Sequence, residues 1–207
     1  WMVPLCAGPE RSVAATKSFV AQLGAGAQLV AAWQQDAGFA DALKNLPQSL
    51  AQAVQTDWSA ACTPLMAAQQ LLVIGRGTGL PIAQEAALKF KETCCIQAEA
   101  FSGAEIKHGP LALIGPDYPV LIFAPRGPAQ AGLLALAQDL KQRGARVLLA
   151  APAGAAPDVL PIIPTAHADL DPISAILSFY VWIESLARLR GLDPDAPRHL
   201  SKITRTL

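Results

Sequence analysis

A chain of 207 residues that is 52% hydrophobic and 15% charged can bury a substantial core without support from metals or disulfides. Its 16 basic and 16 acidic side chains cancel, which removes the basic field on which nucleic acid or an anionic membrane would bind, so neither is an expected partner. The opening residues lack the basic start and apolar stretch of a signal peptide, and no segment is apolar without interruption over about 18 residues, so a cytoplasmic protein is expected.

Trp1 is no natural translation start, and MVPLC reads as an interior strand running into the turn AGPE, so the sequence is expected to be cut from something longer. From ERSVAATKSF onward Val13, Phe19, Val20, Leu23, Leu29 and Val30 recur at helical spacing and predict a long helix, weakened at Gly24 and Gly26. FADALKNLPQSLAQAVQ predicts a second helix carrying Pro47, and a short helical piece follows near Ala60 to Ala67. QLLVIG then gives a strand, the glycines at 75, 77 and 79 a turn, and LPIAQEAALKFKE a helix, the opening of a parallel α/β unit. YPVLIFAP, the helix GPAQAGLLALAQDLKQRG and the strand ARVLLAAP repeat the unit, and a weaker strand, VLPII, precedes a last helix. On that helix Ile173, Ile176, Leu177, Tyr180, Val181 and Leu186 mark a core or partner-facing stripe. Cys6, Cys62, Cys94 and Cys95 form no CxxC, and the adjacent pair cannot readily bridge or clamp zinc, which predicts buried thiols in a reducing compartment.

Charge is concentrated between Gln84 and Pro110, where Glu85, Lys89 and Glu92 fall at i, i+4 and i+7 along one helical stripe. A lysine between two carboxylates is a usable acid/base arrangement, although spacing alone more readily describes a solvated, salt-bridged face. The GRGTG turn can present backbone N–H groups to an anion, but it matches neither the dinucleotide fingerprint nor the Walker loop. His108, in KHGP, is expected on a loop, with a side chain that titrates near neutrality. His167 and His199 have no partner at metal spacing, and no GxSxG elbow occurs, so neither a zinc site nor a serine hydrolase is expected.

The block GRGTGLPIAQEAALKFKETCCIQAEAFSGAEIKHGPLALI resembles the second sugar-isomerase (SIS) domain of the glucosamine-6-phosphate synthases and related SIS-type sugar-phosphate deaminases. AGPERSVAATKSF resembles the segment that closes the family's first SIS domain, and DPDAPRHLSK its C-terminal tail, so the resemblance spans nearly the whole chain. It implies a three-layer α/β/α sandwich with a mainly parallel sheet, divided as residues 1–55 (end of a first SIS domain and connecting helices), 56–190 (second SIS domain) and 191–207 (tail over the site). It implies Glu92 as the carboxylate that moves a proton between C1 and C2 of an open-chain sugar, with Lys89 and Glu85 tuning it. His108 matches a ring-opening histidine given to a neighbouring subunit's site, whence a homodimer. Lys202 matches a tail lysine able to form a Schiff base with the ketose. Val13, Ala15, Gly75, Gly77 and Ser201 complete the expected substrate-lining set, and no cofactor or metal is implied.

Two departures direct the reading within the family. The serine- and threonine-rich phosphate loop of the first SIS domain has no counterpart here, and Ala15 replaces a serine usual in the synthases. With no glutamine-hydrolysing domain in the sequence, the expected activity is deamination and isomerisation of an amino-sugar phosphate, of the glucosamine 6-phosphate to fructose 6-phosphate type. The alternatives are the isomerase part of a glutamine–fructose-6-phosphate aminotransferase, or a non-catalytic phosphosugar-binding regulatory module.

Overall fold

Parallel strands are covered on both faces and so read as near-continuous apolar runs, which is how QLLVIG, PVLIF and VLLAA behave. The computed structural model describes residues 2–202; Trp1, on which the expectation of a truncated start rests, and residues 203–207 of the tail lie outside the described residues. The strands are β1 (Gln70–Gly75), β2 (Gln97–Ser102), β3 (Pro119–Phe123), β4 (Arg146–Pro152) and β5 (Leu160–Ile162). They form one all-parallel sheet in the order β2-β1-β3-β4-β5. The helices are α1 (Lys17–Gln34), α2 (Ala37–Ala53), α3 (Gly79–Cys94), α4 (Gln130–Gln142) and α5 (Asp171–Leu189).

The pleat sorts each strand between two cores. Leu71 and Val73 of β1 and Leu121 and Phe123 of β3 pack with α3 and α5, whereas Leu72, Ile74, Val120 and Ile122 pack with α4. The result is the three-layer α/β/α sandwich, with helices on both faces of the sheet. Between α3 and α5, Phe90 meets Phe179 and Trp182 at ring-centroid distances of 5.4 and 5.8 Å, edge to face. These contacts fix α3 against α5. The Ala168–Leu189 segment is long and apolar enough to cross a membrane by length and composition, but 78% of its apolar window is buried inside the protein. A third cluster joins α1 and α2 to Leu170 and Ile173 at the start of α5.

The β1-to-α3 turn is as tight as glycine allows. A Cβ on Gly75 would lie 2.2 Å from the Gly79 carbonyl oxygen, and Gly77 adopts φ +58°. Across the sheet, the buried Asp171 carboxylate holds three segments together. It accepts from Arg126 Nε and Nη2 at 2.7 and 2.8 Å, from the Thr165 N–H at 2.8 Å and from Thr165 Oγ1 at 2.9 Å. The β3–α4 loop, the segment after β5 and the start of α5 are thereby tied to one group.

Several expectations give way. MVPLC is not a strand: residues 2–10 form no regular structure, and the sheet closes with β2 and β5 at its edges, so no ladder satisfies the segment's backbone. The first helix starts only at Lys17, because Glu10 serves as a side-chain cap for it rather than as its first residue. The helical piece near Ala60 is a pair of 3-10 turns, Ser59–Ala61 and Thr63–Leu65, the second carrying Pro64. QAEAFS is a strand, β2, whose half-exposed edge position hid the usual apolar run. Cys62 and Cys94 are buried as expected, but Cys6 and Cys95 are exposed, since Cys6 lies in the irregular start and Cys95 at the left-handed end of α3.

Asp171→Ala removes four hydrogen bonds and leaves Arg126 half-buried without its counter-charge. It is expected to cost about 3 kcal/mol, reduced from the fully buried case by the exposure of Arg126. The midpoint of urea unfolding should fall while its slope is unchanged.

Candidate active site

Lysine is among the side chains least often buried, because its ammonium loses more on leaving water than its alkyl stem gains. Lys89 is nonetheless only 2% exposed. The spacing of α3 explains how this is tolerated: Glu92 Oε2 lies 2.5 Å from Lys89 Nζ, and Glu85 Oε1 lies 3.3 Å away on the preceding turn. Both carboxylates are largely buried, so the stripe that could have been a solvated face is turned inward. Tyr180, on α5, donates from Oη to the same Glu85 Oε1 at 2.7 Å. Burial first, and then the adjacent Glu85 charge, push the phenol well above the ordinary tyrosine range, so it stays a protonated donor.

A cavity of about 380 Å³ reaches the cluster at Lys89, while Glu85 and Glu92 stand behind the lysine and are not among the residues that line it. Lys89, Thr93, Tyr180, Val181 and Glu184 supply its helical walls; Ser12, Ala14 and Thr16 of an N-terminal strap, with Pro194 and Asp195 of the tail, supply the rest. The strap and the tail are stitched together. Ser12 Oγ donates to Asp195 Oδ1 at 2.5 Å, the Val13 N–H donates to the Asp195 carbonyl at 3.4 Å, and Lys202 Nζ donates to the Ser12 carbonyl at 2.6 Å.

The strap is anchored by Glu10, whose carboxylate accepts from the Thr16 N–H at 2.9 Å, from the Ser18 N–H and from the Ser18 hydroxyl. Burial alone would raise its pKa, but the hydrogen bonds from Ser18 and Thr16, with the charge of Lys17, outweigh it and draw the carboxyl from 4.5 to about 2.

The structure gathers some of the expected residues and separates others. Glu85, Lys89 and Glu92 are together, and Lys202 and the exposed Ser201 lie on the tail that reaches the strap. Along the strap the cavity is lined by Ser12, Ala14 and Thr16, the positions that alternate with Val13 and Ala15. Gly75 and Gly77 are at the other end of α3, about 15 Å along the helix axis from Lys89 at 1.5 Å per residue. Gly75 is buried in the turn, and Gly77 borders a different cavity of about 520 Å³ between the loops that follow β1 and β3. His108 is exposed in the 3-10 turn Glu105–His108 and does not line the cavity at Lys89. Sequence reasoning missed Glu10 and Asp195, and placed Tyr180 only in an apolar stripe. A tyrosine predicted inside a core is itself a signal, since its hydroxyl requires a buried polar partner.

An all-parallel sheet covered by helices on both faces, with a buried carboxylate–lysine–carboxylate cluster beside a cavity, defines a doubly wound α/β domain. Residues 65–151 match the SIS domain family model. A glutamine–fructose-6-phosphate aminotransferase (isomerizing) from Leifsonia xyli subsp. xyli is 36% identical over 219 aligned positions, covering 95% of this chain and 35% of that protein. A solved structure from Silicibacter pomeroyi DSS-3, assigned by name to the phosphosugar isomerases, is 44% identical with a TM-score of 0.84, covering 92% of this chain and 58% of the other. The glucosamine-6-phosphate deaminase of Thermotoga maritima shares the fold at a TM-score of 0.70 and 22% identity, covering 94% and 58%. The chain thus spans about a third of the length of the curated relatives it matches.

Because the folded-state pKa of Glu10 is depressed, its stabilising effect is complete above pH 4.5 and fades as pH falls toward 2. An acid titration of thermal stability should show this loss in the native sequence, and Glu10→Gln should remove that component of the pH dependence while lowering stability at neutral pH.

Proposed function

We propose that the chain is the C-terminal part of a two-SIS-domain enzyme that deaminates and isomerises an amino-sugar phosphate, of the glucosamine 6-phosphate to fructose 6-phosphate type. The observation that carries this reading is the buried Lys89 held between Glu85 and Glu92 at the wall of a cavity. A lysine placed there is hard to account for as surface decoration, whereas a carboxylate beside a fixed ammonium suits proton transfer. Glu92 takes the C2 proton of the open-chain aldose and returns it to C1, giving the 2-imine. Water then hydrolyses the imine to the ketose phosphate and ammonia. Lys89 holds the Glu92 carboxylate in place, and Glu85 holds Lys89.

Lys202 rests its ammonium on the Ser12 carbonyl at the cavity rim. Released from that contact and deprotonated, it reaches the ketose carbonyl in the reverse direction and condenses with it to a Schiff base, releasing water, which makes the neighbouring C–H more acidic. His108, exposed and away from the cavity in its own chain, opens the sugar ring at the site of a second copy in a homodimer. Residues 1–55 then belong with a preceding SIS domain, residues 56–190 form the second, and residues 191–207 close the site. The outward stripe of α1, with Leu29, Val30 and Trp33 exposed, supports a preceding unit packed on that face. The phosphate grip belongs to that unit.

A second reading, the isomerase part of a glutamine-dependent aminotransferase, is favoured by one observation: curated relatives 33–36% identical to the chain carry that name. The two readings separate on the donor of nitrogen.

With the full-length protein, turnover of glucosamine 6-phosphate to fructose 6-phosphate and ammonia is expected, and Glu92→Gln should lower kcat by at least about 100-fold. Equal rates in the two proteins would remove Glu92 as the base, and hexosamine formation from fructose 6-phosphate and glutamine would decide for the aminotransferase. The 207-residue chain alone is expected to show little turnover, which a direct assay checks.

A further inference from the structure

Lys89 is not shared evenly between its two carboxylates: it lies 2.5 Å from Glu92 and 3.3 Å from Glu85. The sequence gives no reason for the asymmetry, since the glutamates flank the lysine at i−4 and i+3 and both spacings support pairing. The difference is on the other side of Glu85. Its Oε1, the oxygen nearest to Lys89, already accepts the Tyr180 hydroxyl at 2.7 Å. An oxygen that has taken one strong donor is a weaker acceptor for the next, so the ammonium settles on Glu92.

We propose that Tyr180 is a positioning residue of this site, whose hydroxyl occupies Glu85 and so keeps the Lys89 ammonium on Glu92. The proposal rests on the reading of Glu92 as the proton-transferring carboxylate. Tyr180 comes from α5, 95 residues away in sequence, is 6% exposed and lines the cavity. The charged groups around it are Glu85, Lys89 and Glu92 on α3, Glu10 on the strap, Asp195 on the tail and Glu184 one turn along α5. Of these, the charges of Glu85, Glu10 and Glu92, together with burial, oppose ionisation of the phenol, which therefore donates throughout the working pH range. Packing alone would be served by phenylalanine. The hydroxyl is what Glu85 uses.

The test uses Tyr180→Phe in the full-length protein, which keeps the ring and removes only the donor. A hydrogen bond to a charged group converts to about a tenfold loss in kcat, with KM within about twofold. 3-Fluorotyrosine at position 180, which keeps a hydroxyl donor on a ring of nearly the same shape, should retain the kcat that phenylalanine loses. A crystal structure of the Tyr180→Phe protein should show Lys89 Nζ nearer Glu85 than the present 3.3 Å and farther from Glu92 than 2.5 Å. Lowered thermal stability with kcat and Lys89 position both unchanged would make Tyr180 a structural residue only and overturn the proposal. Glu92→Gln, assayed alongside, separates the two ideas: wild-type turnover in that variant removes the base reading, and the position of Lys89 in the Tyr180→Phe structure still decides the role of Tyr180.

Discussion

An ammonium out of water must be surrounded by acceptors, and most of the functional half of this molecule follows from that demand at Lys89. Two carboxylates at helical spacing are the local solution, but three charged side chains on one stripe cannot face an apolar core without further polar company. Tyr180 provides it from α5, and the strap and tail cover what remains. The aromatic contacts between Phe90, Phe179 and Trp182 matter to the site for the same reason. They hold two helices at the separation at which a phenol on one meets a carboxylate on the other.

In open α/β sheets ligands generally settle at the carboxyl ends of the strands, where crossovers leave in opposite directions. This sheet has such a place between β1 and β3, and a cavity bordered by Arg76, Gly77 and Arg126 occupies it. The carboxylate–lysine cluster is elsewhere, toward the far end of α3, in a space that the sheet alone does not create. That space exists because segments outside the sandwich, one from each end of the chain, are laid across two helices.

The sandwich was legible because its physics is local. Strands buried on both faces spell themselves in unbroken Val, Ile and Leu, and α3 announces itself through the glycine turn before it. β2 was not legible: as an edge strand it mixes Gln97, Glu99 and Ser102 with its apolar residues, and it sat inside a stretch already explained by charge. MVPLC fails in the opposite way, since an apolar run is a strand only when a neighbour takes its hydrogen bonds. In the site, the i, i+4, i+7 spacing placed Glu85, Lys89 and Glu92 together but left open whether they faced water. Only the burial of Lys89 decides that, and burial is a property of α5, the strap and the tail. Gly77 and Lys89 are close in sequence and were read as one site, yet a straight helix keeps its two ends apart.

The stitching of strap to tail joins residues 183 and 190 positions apart, Ser12 with Asp195 and Ser12 with Lys202. These contacts close the largest loops a chain of this length offers, and they hold on polar groups at the surface rather than on the sandwich. The cover of the cavity is therefore held to itself by surface polar contacts rather than by the core. Breaking a few exposed hydrogen bonds would free the strap from the tail while every strand and helix stays in place, at a small fraction of the free energy of unfolding.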